Sequence, residues 1–500
     1  MSRFCALPQN MNEKEFEAAV RDFQLLLGNA NVQIDREHID QYIQSMPVVR
    51  RHDHTPSAVV YPGRVEDVQA LVRLANKHRT PLWPVYTSEN FGYGSAAPAT
   101  RGQVILDLKR MNKILEVDPL LAYARVEPGV TYADMRRYLE ENNIPLWIDR
   151  PPSALGSPAG NVVERNGGYT AYVDTYFFSC GMEVVMPDGD IVRTGMGGFP
   201  GSSGWQVFKW GIGPSIDGLF SQGNMGIVTK MGFWMMPKPS GYKPFLMTFP
   251  QKEMVGDIAA TARSLRMVNL IQSACVISTA EQEAALRRRY SRPGAQAPKH
   301  DVGALNLAGA IYGSTAEVVP LIWNYVSGAF KARFGNRVKI YIEEDMGDDI
   351  AFAYRKQLMR GELQLQANSD DSGSGMQFSV IGPARAQDCN KQMALAEEVL
   401  GRYGIEYRGE MVISWRCFTH GIDLSFNHDD PEQVERTYAC YGDLLRTFAA
   451  NGYGVDRTNV DFMKQVADTY GPEIQAVWHT VKQSLDPNNI IAPGKSGIGF

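Results

Sequence analysis

The sequence predicts an α+β fold of two domains, the first of them built from both ends of the chain. Three observations predict it. From Pro56 to about residue 242, short β-branched strands alternate with helical periodicity and with long glycine- and serine-rich loops at 151–170 and 194–226. After "MMPKPSGYKP" (235–244) the character changes, and from about 245 to 450 long helical patterns such as "QDCNKQMALAEEVLGRYG" lie between short strands. From about 452 the glycine-rich style returns and ends in "LDPNNIIAPGKSGI". The expected division is 1–242, 243–452 and 453–500, with the first and last parts forming one discontinuous domain.

The elements follow in order. "NEKEFEAAVRDFQLLLG" predicts an amphipathic helix capped by Asn12 and stopped by Gly28. In "PSAVVYPGRVEDVQALVRLANKHRTPLWPV" a β-branched strand meets a Pro-Gly turn, a helix follows from about Val65, and a second strand begins after Thr80. "QVILDLKRMNKILEVD" and "AYARVEPGVTYADMRRYLEENNI" continue the mixture. "CGMEVVMPDGDIVRTG" predicts a hairpin about Asp188-Gly189.

Composition narrows the function. With 44% hydrophobic and 21% charged residues the chain has an ordinary globular balance. A net charge of −5 over 500 residues excludes the basic face that a nucleic-acid partner needs. The one short basic cluster, "LRRRYSRP" at 286–293, is expected to be a solvated helix end. The six cysteines, at 5, 180, 275, 389, 417 and 440, show no CxxC pair and no metal-ligand spacing. They are expected as buried thiols of a reducing compartment. The N-terminus has no apolar stretch fit for a signal peptide, and no run is apolar enough to span a membrane. The expectation is a soluble, cytoplasmic protein with no metal, nucleic acid or membrane partner.

Three loops carry the chemistry. "YTSENFGYGSAAP" (86–98) follows a strand, and its small residues let backbone N–H groups approach a ligand and cradle a pyrophosphate. It is neither GxGxxG nor a Walker loop, and a tight turn between strands is the alternative. "ALGSPAGNVVERNGGYTAYVD" and "GLFSQGNMGIVTKMGFWMMPKP" are two more glycine-serine loops. Together the three argue for one large cofactor lying across them. Near the end, "NGYGVDRTN" (451–459) sets Asp456 beside Arg457, a cation of the ligand-binding kind.

With "FGYGSAAP", "EPGVTYADMRRYLEENNIPLW", "GNVVERNGGYTAYVD", "GMEVVMPDGDIVRTGMG", "GPSIDGLFSQGNMGIVTKMGFWMMPKP" and "DPNNIIAPGKSGI" in this order, the chain resembles a known family over nearly its whole length. These are the flavoproteins related to vanillyl-alcohol oxidase and the flavin subunit of p-cresol methylhydroxylase (4-cresol dehydrogenase). The resemblance implies a vanillyl-alcohol-oxidase-type fold, with a discontinuous FAD-binding domain and an α+β cap over the flavin ring. It implies oxidation of para-substituted phenols, such as an alkylphenol or a phenylpropanoid alcohol. The phenol binds as phenolate, a hydride leaves the benzylic carbon for flavin N5, and a p-quinone methide forms. Ionising the phenol pushes electron density toward the para carbon, so a site that stabilises phenolate lowers the barrier. A homodimer is implied as well, and the electron acceptor, O2 or a small cytochrome, stays open. Two other readings remain: oxidation of a non-phenolic alcohol, and a non-catalytic flavin-binding subunit.

The resemblance also assigns residues. Tyr93 matches a tyrosine that hydrogen-bonds the phenolate, Asp174 the acid near flavin N5, and Arg457 the arginine that pairs with the phenolate oxygen. Glu410 matches a cavity glutamate. The expected cofactor-binding set is Ser88, Glu89, Asn90, Phe91, Gly92, Gly94 and Ser95 from the first loop, and Pro158, Gly160, Asn161 and Glu164 from the second. Gly226, Ile227, Val228, Arg416 and Lys495 complete it. Arg416 and His420 are expected to share one face of a strand, with His420 a packed or flavin-side residue.

Two departures stand out. Relatives tether the flavin through a histidine or tyrosine of the cap, but the matching stretch 361–382 holds no histidine, tyrosine or cysteine. Gly375 stands at the histidine position and Ala367 near the tyrosine position, so FAD is expected to bind non-covalently unless His52 or His54 reaches it. The second departure is Asp456, where relatives carry a tyrosine. Three readings stay open: Asp456 points away, it neutralises Arg457, or it bonds an additional group of the substrate. Tyr453 is not assumed to compensate.

Overall fold

The computed structural model describes residues 3–291, 301–346, 349–362 and 375–500. The opening helix is Glu13–Leu27, with Asn12 and Glu15 forming a reciprocal cap at its start. Its buried face (Phe16, Ala19, Val20, Phe23) joins a core with the helix Val65–His78 and a four-stranded sheet. In that sheet Ala58–Val60, Val104–Asp107 and Leu82–Val85 run parallel, and Val32–Gln33 adds an antiparallel edge. The predicted strand–helix–strand unit is therefore present, but Val104–Asp107 lies between its two strands. The three parallel strands are apolar almost throughout because both faces are covered.

A five-stranded antiparallel sheet follows, in the order Ile114–Asp118, Tyr123–Val126, Ile227–Trp234, Ser179–Val185, Ile191–Arg193. The last two strands are the predicted hairpin, turning at Asp188-Gly189, where Gly189 takes φ 87°.

The third sheet has eight antiparallel strands, from Gly241–Phe249 to Val455–Arg457. That last strand lies beyond the expected division at 452 yet pairs with Gly375–Pro383. Alternation along these strands sorts the side chains. Met376, Phe378 and Val380, with Met411 and Ile413, enter the largest core, against the helices Val255–Met267, Ala386–Arg402 and Pro431–Ala450. Gln377, Ser379, Glu410 and Val412 face the opposite way, into a cavity.

The C-terminal segment returns to the first sheet. Leu82 donates to the Ile490 carbonyl (2.7 Å) and accepts from the Ala492 amide (2.7 Å). The buried Lys482 ammonium donates to the Asn224 and Ile491 carbonyls and to Asp486. No helix among the described residues is long and apolar enough to cross a membrane.

Candidate active site

The loop after Leu82–Val85 turns sharply through residues of positive φ: Ser88 (63°), Gly92 (79°), Gly94 (98°) and Ser95 (49°). The amides of Tyr93 and Ser95 both close on the Asn90 carbonyl, at 3.2 and 3.1 Å. Along this loop runs a narrow cleft, walled by Ser88, Glu89, Asn90, Ser95, Gly160, Asn161, Glu164, Gly226 and Lys495. Glu164 and Lys495 pair across it. Burial opposes the Glu164 charge, but Lys495 and Arg457 outweigh it and hold the carboxyl below its ordinary range. The Ser95 hydroxyl is buried here with no partner among the described residues. A cleft of small residues and backbone, with the cations Lys495 and Arg457 and an orphaned hydroxyl, fits a flavin dinucleotide.

The cleft adjoins a cavity of about 870 Å³, and a second cavity of about 710 Å³ lies over the large sheet. Tyr93, Cys417, Asp456 and Arg457 line both, so they form the junction. Arg457 is clamped there: one terminal nitrogen donates to Asn166 Oδ1 (2.9 Å), the other to Asn90 Oδ1 (2.6 Å). Its guanidinium lies 4.2 Å from the centre of the Tyr93 ring. Burial raises the Tyr93 hydroxyl pKa, Asp456 adds to this, and Arg457 opposes it.

Asp456 points into the cavity beside Arg457, not away from it. Neighbours in a regular strand face opposite sides, but the register here jumps from Ser379–Arg457 to Val380–Val455. Asp456 is the extra residue of that bulge, and a bulge re-aims side chains. Burial raises the Asp456 pKa against the opposing pull of Ser379 and Arg457.

Deeper in the cavity stands Glu410, on Gly409–Ile413. Burial pushes its carboxyl up to about 7; Asp423 and Glu283 add to this, and Arg355 and a hydrogen bond with Tyr169 oppose it. Asp174 lines the same cavity, with its Oδ1 accepting from the Phe177 amide (2.8 Å).

Several expected residues lie elsewhere. Phe91 and Gly92 face the cavity over the large sheet, and Gly94 packs against Val460. Pro158 is buried at the start of the helix Pro158–Val163, and the Ile227 and Val228 side chains are in the cores. Arg416 lines the outer cavity from a turn before the strand Cys417–Ser425, and it is exposed while His420 is buried. The two therefore share no face. His420 packs between Tyr407 (2.8 Å) and Gln392 (3.3 Å), and burial drives its pKa down to about 3, so it stays neutral.

The basic cluster is only in part a solvated helix end, with Arg288 exposed. It closes the helix Ala280–Tyr290, but Arg287 pairs with the buried Asp349 (3.0 Å), and Arg288 and Arg289 line the cavity. All six cysteines are free, yet Cys417 is exposed at the junction and Cys5 is half-buried. Tyr453 donates to Asp388 (2.9 Å) and takes no place in the site. Ala367 lies outside the described residues, and Gly375 opens its strand. His52 and His54 line neither cavity; His54 bridges Asp461 (2.8 Å) and the Pro98 carbonyl (2.7 Å). Sequence reasoning missed Asn166, Tyr169, Gln377 and Ser379. The alternation in "GMQFSVIG" is the signal that marks the last two.

Residues 56–195 match the FAD binding domain family. The chain is 43% identical, over 98% of its length and 97% of the relative's, to the 4-cresol dehydrogenase [hydroxylating] flavoprotein subunit of Pseudomonas putida. It is similar to the crystal structure of p-cresol methylhydroxylase with substrate bound (TM-score 0.93, 42% identity, 99% of both chains). It is also similar to the 4-ethylphenol oxidase of Gulosibacter chungangensis in its isoeugenol complex (TM-score 0.90, 31% identity, 98% of both chains). An FAD-fitting cleft that opens on a lined cavity, and this identity over the full length, lead to one conclusion: the chain belongs to the family of the 4-cresol dehydrogenase flavoprotein subunit and is an FAD-dependent oxidoreductase.

Proposed function

We propose that the chain oxidises a para-substituted phenol, an alkylphenol or a phenylpropanoid alcohol, by removing hydride from the benzylic carbon. The observation that carries this reading is the junction itself, where the clamped Arg457 guanidinium lies over the Tyr93 ring beside the cavity. The names of the relatives, which concern cresol and ethylphenol, support it.

The chain's own groups have defined tasks. Arg457 spends two of its five N–H donors on asparagines, so its plane is fixed and the others remain for a phenol oxygen. Tyr93 donates to the same oxygen, and both stabilise the negative charge that the oxygen takes on as its proton leaves. Asp174 takes a proton from water that adds to the quinone methide. Glu410, close to half-ionised near neutral pH, holds or releases a proton deeper in the cavity. FAD, once bound, supplies the hydride acceptor.

Three finer points belong to the same proposal. FAD is held without a covalent bond, because 361–382 offers no histidine, tyrosine or cysteine and both ring nitrogens of His54 are occupied. Electrons pass to a protein acceptor such as a small cytochrome, since the Pseudomonas relative is named a flavoprotein subunit, with O2 as the alternative. The working unit is a homodimer. The large sheet with its helices acts as the cap, and the parts before 242 and after 452 bind FAD.

Anaerobic mixing tests the reading. A 4-alkylphenol bleaches the flavin and its methyl ether does not. No bleaching by any phenol would sink the proposal.

A further inference from the structure

We propose that Asp456 is the general base of the reaction, its free carboxylate oxygen taking the hydroxyl proton of a substrate that binds as the neutral phenol. This rests on the phenol reading above and deepens it.

Four observations lead there. The bulge turns Asp456 into the junction, beside Arg457 and Tyr93. Its backbone is pinned, because Gln222 donates to its carbonyl (2.8 Å). Its carboxylate forms no ion pair among the described residues: Arg457 attracts it but directs its terminal nitrogens to Asn166 and Asn90. Finally, Asp456 Oδ1 is buried with no partner among the described residues, while the Ser379 hydroxyl is in hydrogen-bond reach of the carboxyl.

A buried acceptor left without a donor is costly. The adjacent arginine would be the obvious remedy, yet its terminal nitrogens are aimed at Asn166 and Asn90. The place is kept for a donor brought by the ligand. A phenol hydroxyl is such a donor; a phenolate is not, and the carboxylate repels it. The titratable groups facing Asp456 from other elements are Tyr93, Tyr441 and Cys417, none of them charged at neutral pH, and Asp174 lines the same cavity. Arg457, on its own strand, attracts it, and Arg165 lines both cavities with it.

The step balances. The benzylic C–H bond breaks, and its electron pair leaves as hydride for the oxidant, FAD. The phenol O–H bond breaks, its pair becomes the C=O of the quinone methide, and its proton passes to Asp456. A free phenol is too weak an acid for a carboxylate, but it becomes strongly acidic as the hydride departs. The base therefore acts in the transition state, where its contribution raises the rate.

The test uses the holoenzyme and 4-nitrophenol, whose ionised form absorbs at longer wavelength. At a pH where the free ligand is partly ionised, the wild type binds the neutral form and the phenolate band falls. Asp456→Asn still binds it, but as phenolate, held by Arg457. With an oxidisable 4-alkylphenol, which is un-ionised at neutral pH and arrives with its proton, the same variant reduces its flavin on the order of 10²-fold more slowly. Binding of the phenolate by the wild type overturns the base assignment alone, as does an unchanged reduction rate in Asp456→Asn. If no phenol binds, the phenol reading falls and the base with it.

Discussion

Glu410 carries the clearest pH signature of any single residue. Its carboxyl is pushed up to about 7, whereas an unfolded glutamate titrates near about 4.3. The folded chain thus keeps a proton that the unfolded chain has lost, and stability falls as pH rises through that window. Glu410→Gln removes the effect. From pH 4 to pH 8 the variant gains stability relative to the wild type, by on the order of 1–3 kcal/mol. Urea titrations at both pH values read it, and a pH-independent difference refutes it. Residue identity was legible here and orientation was not. Tyr93, Asp174, Glu410 and Arg457, which the resemblance singled out, line one cavity. The direction of Asp456 was not readable, because it depends on a register jump that leaves no mark in "YGVDRTN". Arg416 and His420 failed for a related reason: the strand begins only at Cys417, so even spacing across its start means nothing.

Elements joined by buried charge are the next scale. The helix Ala280–Tyr290 is tied to Ile350–Leu358 by Glu283, which accepts from Arg355 (2.9 Å) and from Ser278. Burial opposes both charges, but each partner holds the other ionised: Glu283 stays below its ordinary range and Arg355 above. Asp349 adds a second link, capping Ile350–Leu358 and pairing with Arg287. Breaking a buried pair leaves one charge uncompensated. Glu283→Gln should therefore cost about 3–5 kcal/mol in urea unfolding. The double variant Glu283→Gln, Arg355→Met should recover much of that loss; equal losses in single and double variants would refute the pairing account. The charge pattern marked a helix end but not the ion pair that Arg287 makes there. The partner of Arg287 lies 62 residues along the chain, and no local pattern reports such a distance. Where a pattern was local, as in the Asn12 cap or the Asp188-Gly189 hairpin, it was read correctly.

At the scale of the whole molecule, the cleft exists only because distant segments meet. Glycine loops announced that segments 86–98 and 453–500 belong together, but the pairing of Leu82 with Ile491 is a contact that composition cannot specify. His54 and Asp461 fasten the same two parts. Lys495 and Glu164 close the cleft wall, and Asn90 and Asn166 reach Arg457 across it. A cofactor held there touches all these segments at once, so it binds the folded chain and not the unfolded one. Mass action then makes stability depend on free FAD, by about 2.7 kcal/mol at a hundredfold excess over Kd. A covalent bond would remove that dependence, since the flavin could not leave. Denaturing precipitation of the holoenzyme should therefore leave the yellow colour in the supernatant, and the refolded apoprotein should show a Tm that climbs with each increment of added FAD. Colour retained by the washed pellet, or a Tm indifferent to FAD, would mean that a tether forms from a residue outside 361–382.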